Sequence, residues 1–216
     1  LSSAMAMDKG VTKAMFQMRG VSTPGGKAMK KKDRQDSLAA LGMELPVVVK
    51  TCCGGSSIGV YIVDNQEDYV KALDEAFEYE NEVVIEEFIK GVEYTVAVVD
   101  GTAYPVVQIV PKEGFYDYEN KYKPGAVQET CPAPISEELT KRLQEAAVDG
   151  YHALEMESYA RLDFIVTEDE KIYCLEANTL PGMTPTSLIP QEAAVLGMDY
   201  PTLCEELIRV SQKKYN

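Results

Sequence analysis

Residues 160–178 read "ARLDFIVTEDEKIYCLEAN", two strand-length runs rich in apolar residues on either side of a charged turn, and nothing else in the chain restricts its folding as tightly. Successive side chains of a strand point to opposite faces. A hairpin therefore puts Arg161 and Asp163 on one face of its first strand, and Glu176 and Asn178 on one face of its second. With Asp169 and Glu170 as a two-residue turn, Asp163 faces Glu176, Arg161 faces Asn178, and Ile165 faces Cys174 on the same side. That face is then polar at one end and apolar at the other.

Carboxylates opposed across two strands, with Cβ atoms about 5 Å apart, repel each other and require a positive partner. Arg161 alone satisfies that requirement. An all-oxygen set of Asp163, Glu176 and Asn178 also suits a hard cation such as Mg2+, which takes one or two carboxylates and completes its shell with phosphate oxygens. The spacing leaves both readings open.

Upstream, "LPVVVK" and "IGVYIV" (45–50 and 58–63) read as a hairpin whose tip, "TCCGGSS", is built of small residues. Backbone N–H groups at such a tip approach a phosphate closely, and Ser56 and Ser57 add hydroxyl donors beside Lys50. The loop has neither Walker nor GxGxxG spacing, and a plain flexible turn has the same composition.

The first 20 residues, rich in Met and Ala, predict one helix ending at Gly20; "STPGGKAMKKKDRQD" then reads as a solvated loop. Between Pro24 and Pro46 there is no clear apolar run, so an edge strand is expected to be missing. "QEDYVKALDEAFEY" and "SEELTKRLQEAAVDGYHAL" carry helical periodicity, the second capped by Ser136 with Leu139, Leu143, Ala146 and Ala147 inward. Strands and helices mix without βαβ alternation, which predicts an α+β fold with largely antiparallel sheets in two lobes.

Thirty-five acidic against 21 basic residues leave a net charge of −14, which excludes nucleic acid and anionic membrane surfaces as general partners. An anionic ligand needs a local cluster of lysines. Five cysteines without metal-binding spacing read as reduced thiols, pointing to the cytoplasm. His152, the only histidine, reads as a packing or surface residue.

Seven stretches in order, "AMDK" (6–9), "VVVK...GSSIGV" (47–60), "IEEFIKGVEYTV" (85–96), "GFYDYENKY" (114–122), "CPAP" (131–134), "ARLDFIV" (160–166) and "LEANTLPGMTPTSLIP" (175–190), resemble the D-alanine–D-alanine ligase family of ATP-grasp enzymes. The resemblance implies an ATP-grasp fold whose two lobes, 1–93 and 94–216, clamp ATP. It implies ATP-dependent joining of two D-alanines through an acyl phosphate, for peptidoglycan precursor synthesis. By the same resemblance Lys9, Lys50 and Lys121 meet the ATP phosphates under the Ser56–Ser57 loop. Glu86, Glu87, Phe88 and Ile89 surround the adenine, Glu93 takes the ribose, and Ile165 completes the nucleotide site. Asp163, Glu176 and Asn178 hold two Mg2+ ions, for which Mn2+ can substitute. Arg161 and the Gly182 backbone stabilise the oxyanion, Tyr122 and Ser56 order the active site, and Ser187 and Leu188 receive the carboxylate of the second D-alanine.

The family's N-terminal substrate domain, which supplies a glutamate for the first D-alanine, is expected outside these residues, so this chain alone is expected to be poorly active. A homodimer is expected only of the full-length enzyme. Two other readings accompany this one: a ligase joining D-alanine to D-lactate or D-serine, and an ATP-binding module without ligase activity.

Overall fold

The computed structural model describes residues 1–55, 58–111 and 127–215. In chain order the elements are α1 (Ser2–Met7), α2 (Lys9–Arg19), β1 (Gly26–Lys30), α3 (Leu38–Leu41), β2 (Val47–Thr51), β3 (Val60–Val63), α4 (Gln66–Tyr79) and β4 (Glu82–Glu87). There follow β5 (Val92–Val99), β6 (Thr102–Ala103), β7 (Val107–Pro111), β8 (Val127–Thr130), α5 (Glu137–Ala153), β9 (Tyr159–Val166), β10 (Ile172–Asn178), α6 (Leu188–Val195) and α7 (Tyr200–Gln212). The fold is α+β with antiparallel sheets, as the sequence predicts.

The first sheet has the order β1-β4-β2-β3, every pair antiparallel. Its core is sealed by α4, whose Tyr69, Leu73, Ala76 and Phe77 are buried against Val47, Val49, Val83 and Ile85. Helix α4 starts where Asn65 accepts a hydrogen bond from the Asp68 amide at 2.9 Å, a side-chain cap that replaces a missing intrahelical partner.

Strand β1 is the edge strand that the sequence does not announce. Only Met29 of its five residues is buried, so it forms no apolar run. Its lysines also belong to this element rather than to a solvated loop: Lys27 and Lys30 lie in the strand, and Lys31 donates to the Phe77 carbonyl at 2.9 Å. Charged side chains on an edge strand deter pairing with other chains.

The second sheet runs β10-β9-β5-β7-β8, with β6 attached to β5. Strand β5 alternates between two cores. Tyr94, Val96 and Val98 face α5, while Ala97 and Val99 face α6 and α7 with Ile189, Ala193, Leu203 and Leu207. Asp100 and Gly101 both take positive φ, 52° and 74°, in the tight "DG" turn into β6.

The N-terminal helical segment is two helices. Asp8 adopts an extended conformation and accepts from Val11 N at 3.0 Å, ending α1 and capping α2. Helix α2 stops at Gly20, whose φ of 77° is left-handed. Ala6, Phe16 and Val21 enter the core between the second sheet and α5. Burying Phe16 alone is worth roughly 2 kcal/mol. Helix α2 is therefore anchored on the second sheet while another of its buried side chains, Lys13, reaches β4 of the first.

Helix α5 begins at Ser136, which accepts from Leu139 N at 3.1 Å, and continues through Gly150 to Ala153. A Cβ at Gly150 would sit 2.5 Å from Leu162 Cδ2, so the glycine lets helix and sheet approach closely. His152 is exposed, its ring edge-on to Tyr151.

Candidate active site

The β9–β10 hairpin brings Asp163 opposite Glu176 and Arg161 opposite Asn178, as expected. The rest of its register differs. The turn holds three residues, with Glu170 at φ 56° and a hydrogen bond from Thr167 N to the Lys171 carbonyl, so Cys174 pairs with Phe164 and Tyr173 with Ile165. A bulge at Leu175 then restores the pairing of Glu176 with Asp163. Because of that extra residue, Cys174 points into the core beneath α5, and the expected apolar pair Ile165–Cys174 does not form. Burial pushes the Cys174 thiol well up, with Asp163 and Glu176 adding to the effect.

Asp163 is the hub of the polar face. Its Oδ1 accepts from Arg161 Nε at 2.8 Å and lies 2.7 Å from the Thr95 hydroxyl. Its Oδ2 accepts from Arg161 Nη2 at 2.7 Å and from Asn178 Nδ2 at 3.0 Å. A carboxylate offers about four acceptor positions, so these contacts nearly fill it. Glu176 is more open, its side chain 35% exposed, with Oε1 accepting from Asn178 Nδ2 at 3.3 Å and Oε2 3.8 Å from Lys9 Nζ.

Lys9 opens α2 and reaches back between the sheets, donating to the Gly54 carbonyl at 2.5 Å. Gly54 is obligatory there, since a Cβ would fall 2.1 Å from Thr51 Oγ1. Beside the same loop, burial and then the Asp8 and Glu82 carboxylates push the Cys52 thiol up to about 12, so it is a poor thiolate at neutral pH. Ser56, Ser57, Lys121 and Tyr122 lie outside the described residues.

Lys50 and Glu86 meet within the first sheet. Glu86, 3% exposed, forms ion pairs with Lys50 through Oε1 and with Lys13 through Oε2, the latter at 2.6 Å. Burial works to raise the Glu86 carboxyl, but the charges of Lys50 and Lys13 outweigh it and hold the group below the usual range. Glu87 is exposed and accepts from Gly25 N at 2.7 Å; Phe88 N donates to the Pro46 carbonyl at 3.2 Å; Ile89 is half-buried in the link to β5. Glu93 pairs in register with Ile109 and Ile165. At the other end of the second sheet, Ser187 precedes α6 with its Oγ taken by the Thr184 amide at 3.0 Å rather than by the helix. That Oγ would lie 3.1 Å from a Cβ at Gly182, so the two expected residues are neighbours. Leu188 is buried with Val107 and Ile109.

Two charged residues of this region escape the sequence reading: Lys13 and Glu192. Each lies among buried residues of its helix, Lys13 with Thr12 and Phe16, and Glu192 with Ile189 and Ala193; a charge among buried positions is the signal. Glu192 Oε2 accepts from Ala97 N at 2.7 Å, while its Oε1 is buried without a hydrogen-bond partner among the described residues. Burial raises its carboxyl well above the usual range, despite the Ala97 amide and the Arg161 charge.

A raised folded-state pKa contributes stability that is complete below the unfolded value, near 4.5, and is lost as pH rises through the folded value. Glu192→Gln cannot ionise. Its stability relative to wild type is therefore expected to rise steadily from pH 5 to pH 8. Thermal denaturation of both proteins across that range checks this, and a constant difference would contradict it.

Two antiparallel sheets bridged by α2, whose Lys9 reaches both the β2–β3 loop and the carboxylate-bearing β9–β10 hairpin, fit an ATP-grasp fold. The chain's residues 10–209 match the family model described as "D-ala D-ala ligase C-terminus". The chain belongs to that family. It is 43% identical to a D-alanine–D-alanine ligase of Syntrophotalea carbinolica over 208 residues, covering 96% of this chain and 67% of that protein. With the Pediococcus pentosaceus ligase the identity is 38%, over 100% of this chain and 61% of the relative. Among solved structures, the Bacillus anthracis D-alanine–D-alanine ligase complexed with ATP superimposes with a TM-score of 0.85 at 34% identity, covering 99% of this chain and 68% of that one. The VanG D-Ala:D-Ser ligase of Enterococcus faecalis gives 0.87 at 31% identity, covering 97% and 63%.

Proposed function

We propose that the chain is the ATP-binding and ligating part of a D-alanine–D-alanine ligase acting in peptidoglycan precursor synthesis in the cytoplasm. The observation that carries this reading is the meeting of Lys9, at the head of α2, with both Glu176 of the β9–β10 hairpin and the Gly54 carbonyl of the β2–β3 loop, beside the Asp163–Arg161–Asn178 cluster. In a protein of net charge −14, lysines gathered opposite a carboxylate pair suit a polyphosphate bound with a cation. The lobes divide near residue 93, with α1 and α2 packed on the second.

The donor set fits magnesium. Glu176 presents an open carboxylate, and Asn178 places its amide nitrogen between Asp163 and Glu176, which leaves its oxygen available; Asp163, hydrogen-bonded through both oxygens, would give up the Asn178 contact to join them. Magnesium takes one or two carboxylates and completes its shell with phosphate oxygens. Magnesium held by Asp163, Glu176 and Asn178 would neutralise charge on the phosphoryl group being transferred.

The chain's own residues do the rest. Lys9 and Lys50 hold the phosphates while the first D-alanine carboxylate attacks the γ-phosphorus, giving an acyl phosphate and ADP. The second D-alanine's carboxylate rests at Ser187 and Leu188, and its amine attacks the acyl carbon. Arg161 and the Gly182 amide stabilise the tetrahedral oxyanion before phosphate leaves. Ser56, Ser57, Lys121 and Tyr122 keep the roles that the family resemblance implies for them.

The test is ADP release from MgATP on adding D-alanine, with D-alanyl-D-alanine formed in equal amount. ATP binding without either product when the family's N-terminal substrate domain is supplied supports a nucleotide-binding module instead. The likeness to a D-Ala:D-Ser ligase makes D-serine the competing substrate, and mixed dipeptide in excess over D-alanyl-D-alanine would favour that second reading.

A further inference from the structure

Lys13 is an unusual choice for its place. It lies on the buried side of α2 with its side chain 7% exposed, between Phe16 in the second core and β4 of the first sheet. Its ammonium donates to Glu86 Oε2 at 2.6 Å and to Thr23 Oγ1 at 3.2 Å. Burying an ammonium is costly, and an apolar residue would pack the same gap at lower cost. Packing therefore does not account for a lysine here.

The charges do. Glu86 is flanked by two lysines, so the group carries one surplus positive charge. Lys50 is the member nearer solvent, its side chain 14% exposed against 7% for Lys13 and 4% for Glu86. Without Lys13, Glu86 would neutralise Lys50 completely, and Lys50 would have no charge left for a ligand phosphate. We propose that Lys13 is a positioning residue: it acts as counter-ion to Glu86, so that Lys50 keeps its charge for the polyphosphate without Lys13 touching the ligand. This inference rests on the reading of the site as a MgATP site and adds Lys13 to it.

A counter-ion role implies a rescue that a purely structural role does not. Magnesium with ATP, and magnesium with inorganic tripolyphosphate, are titrated calorimetrically into the wild-type chain, Lys13→Met, Glu86→Gln and the double variant. Tripolyphosphate separates charge from any effect of Glu86 on the base. Lys13→Met is expected to weaken both ligands by roughly tenfold to hundredfold, the worth of one unit charge several ångströms away in a partly shielded site. Adding Glu86→Gln removes the charge that captured Lys50, so the double variant is expected to bind tripolyphosphate within about threefold of wild type. Unchanged affinity in Lys13→Met, or a double variant no better than the single one, overturns the inference while leaving the ATP site intact. A wild-type chain that binds neither ligand overturns the reading of the site and the inference with it. If Lys13→Met does not fold, the double variant decides alone: binding within threefold of wild type supports the counter-ion role, and weaker binding ends it.

Discussion

Replacing Asp163 with alanine is expected to lower the stability of the chain by about 3 kcal/mol and, in the same variant, to remove most of its magnesium-dependent ATP affinity. The stability loss follows from what Asp163 holds. Arg161 is 9% exposed and gives Asp163 two hydrogen bonds, and Asn178 and Thr95 converge on the same carboxylate. Removing one partner of a buried ion pair leaves the other charge without its main compensation, which costs about 3–5 kcal/mol; the partial exposure of the Asp163 side chain, 21%, places this case at the lower end. Urea denaturation without magnesium isolates the stability effect. A loss below about 1 kcal/mol would show that Arg161 is held chiefly by something else.

The second large effect is expected at the joint between the sheets. Gly91 lies between β4 and β5, and a Cβ there would fall 2.3 Å from the Val166 carbonyl oxygen, 2.7 Å from the Val166 carbonyl carbon and 2.6 Å from Ile165 Cγ2. Two of these atoms are backbone of β9, in register with Val92 and the rest of β5, and cannot rotate aside. Gly91→Ala is therefore expected to cost about 3 kcal/mol, the upper part of the range for overpacking. At roughly 2–4 °C per kcal/mol for a chain of this size, the melting temperature should fall by about 6–12 °C. A fall of less than about 2 °C would mean that β9 and the link yield easily.

The hairpin shows how far the residues themselves carried the reading. Asp163 opposite Glu176 and Arg161 opposite Asn178 were legible because polar side chains two apart on an apolar strand identify one face. The Ile165–Cys174 pairing failed because a three-residue turn and the bulge at Leu175 each displace the register by one, and the two displacements cancel only beyond the bulge. Neither leaves a mark on hydrophobic periodicity. Strand β1 was hidden for a related reason: an edge strand with Met29 as its one buried side chain has no pattern to detect. The break at Asp8 was available as an Asp N-cap but lay within a run of Met and Ala that reads as one helix. Lys13 and Glu192 were missed because charged residues are assigned to surfaces by default, and their positions among buried residues were not weighed against that rule.

The proposed site depends on Glu176 as the accessible carboxylate of a magnesium–polyphosphate centre, and one experiment tests that dependence without turnover. ATP is titrated calorimetrically into the wild-type chain and Glu176→Ala, each with magnesium and with chelator. Glu176 is 35% exposed and makes its contacts at 3.3 and 3.8 Å, so its removal should leave the fold intact. The account predicts magnesium-dependent tightening in wild type and the loss of most of that increment in Glu176→Ala, with unfolding little changed. Equal MgATP affinity in the two proteins would contradict it.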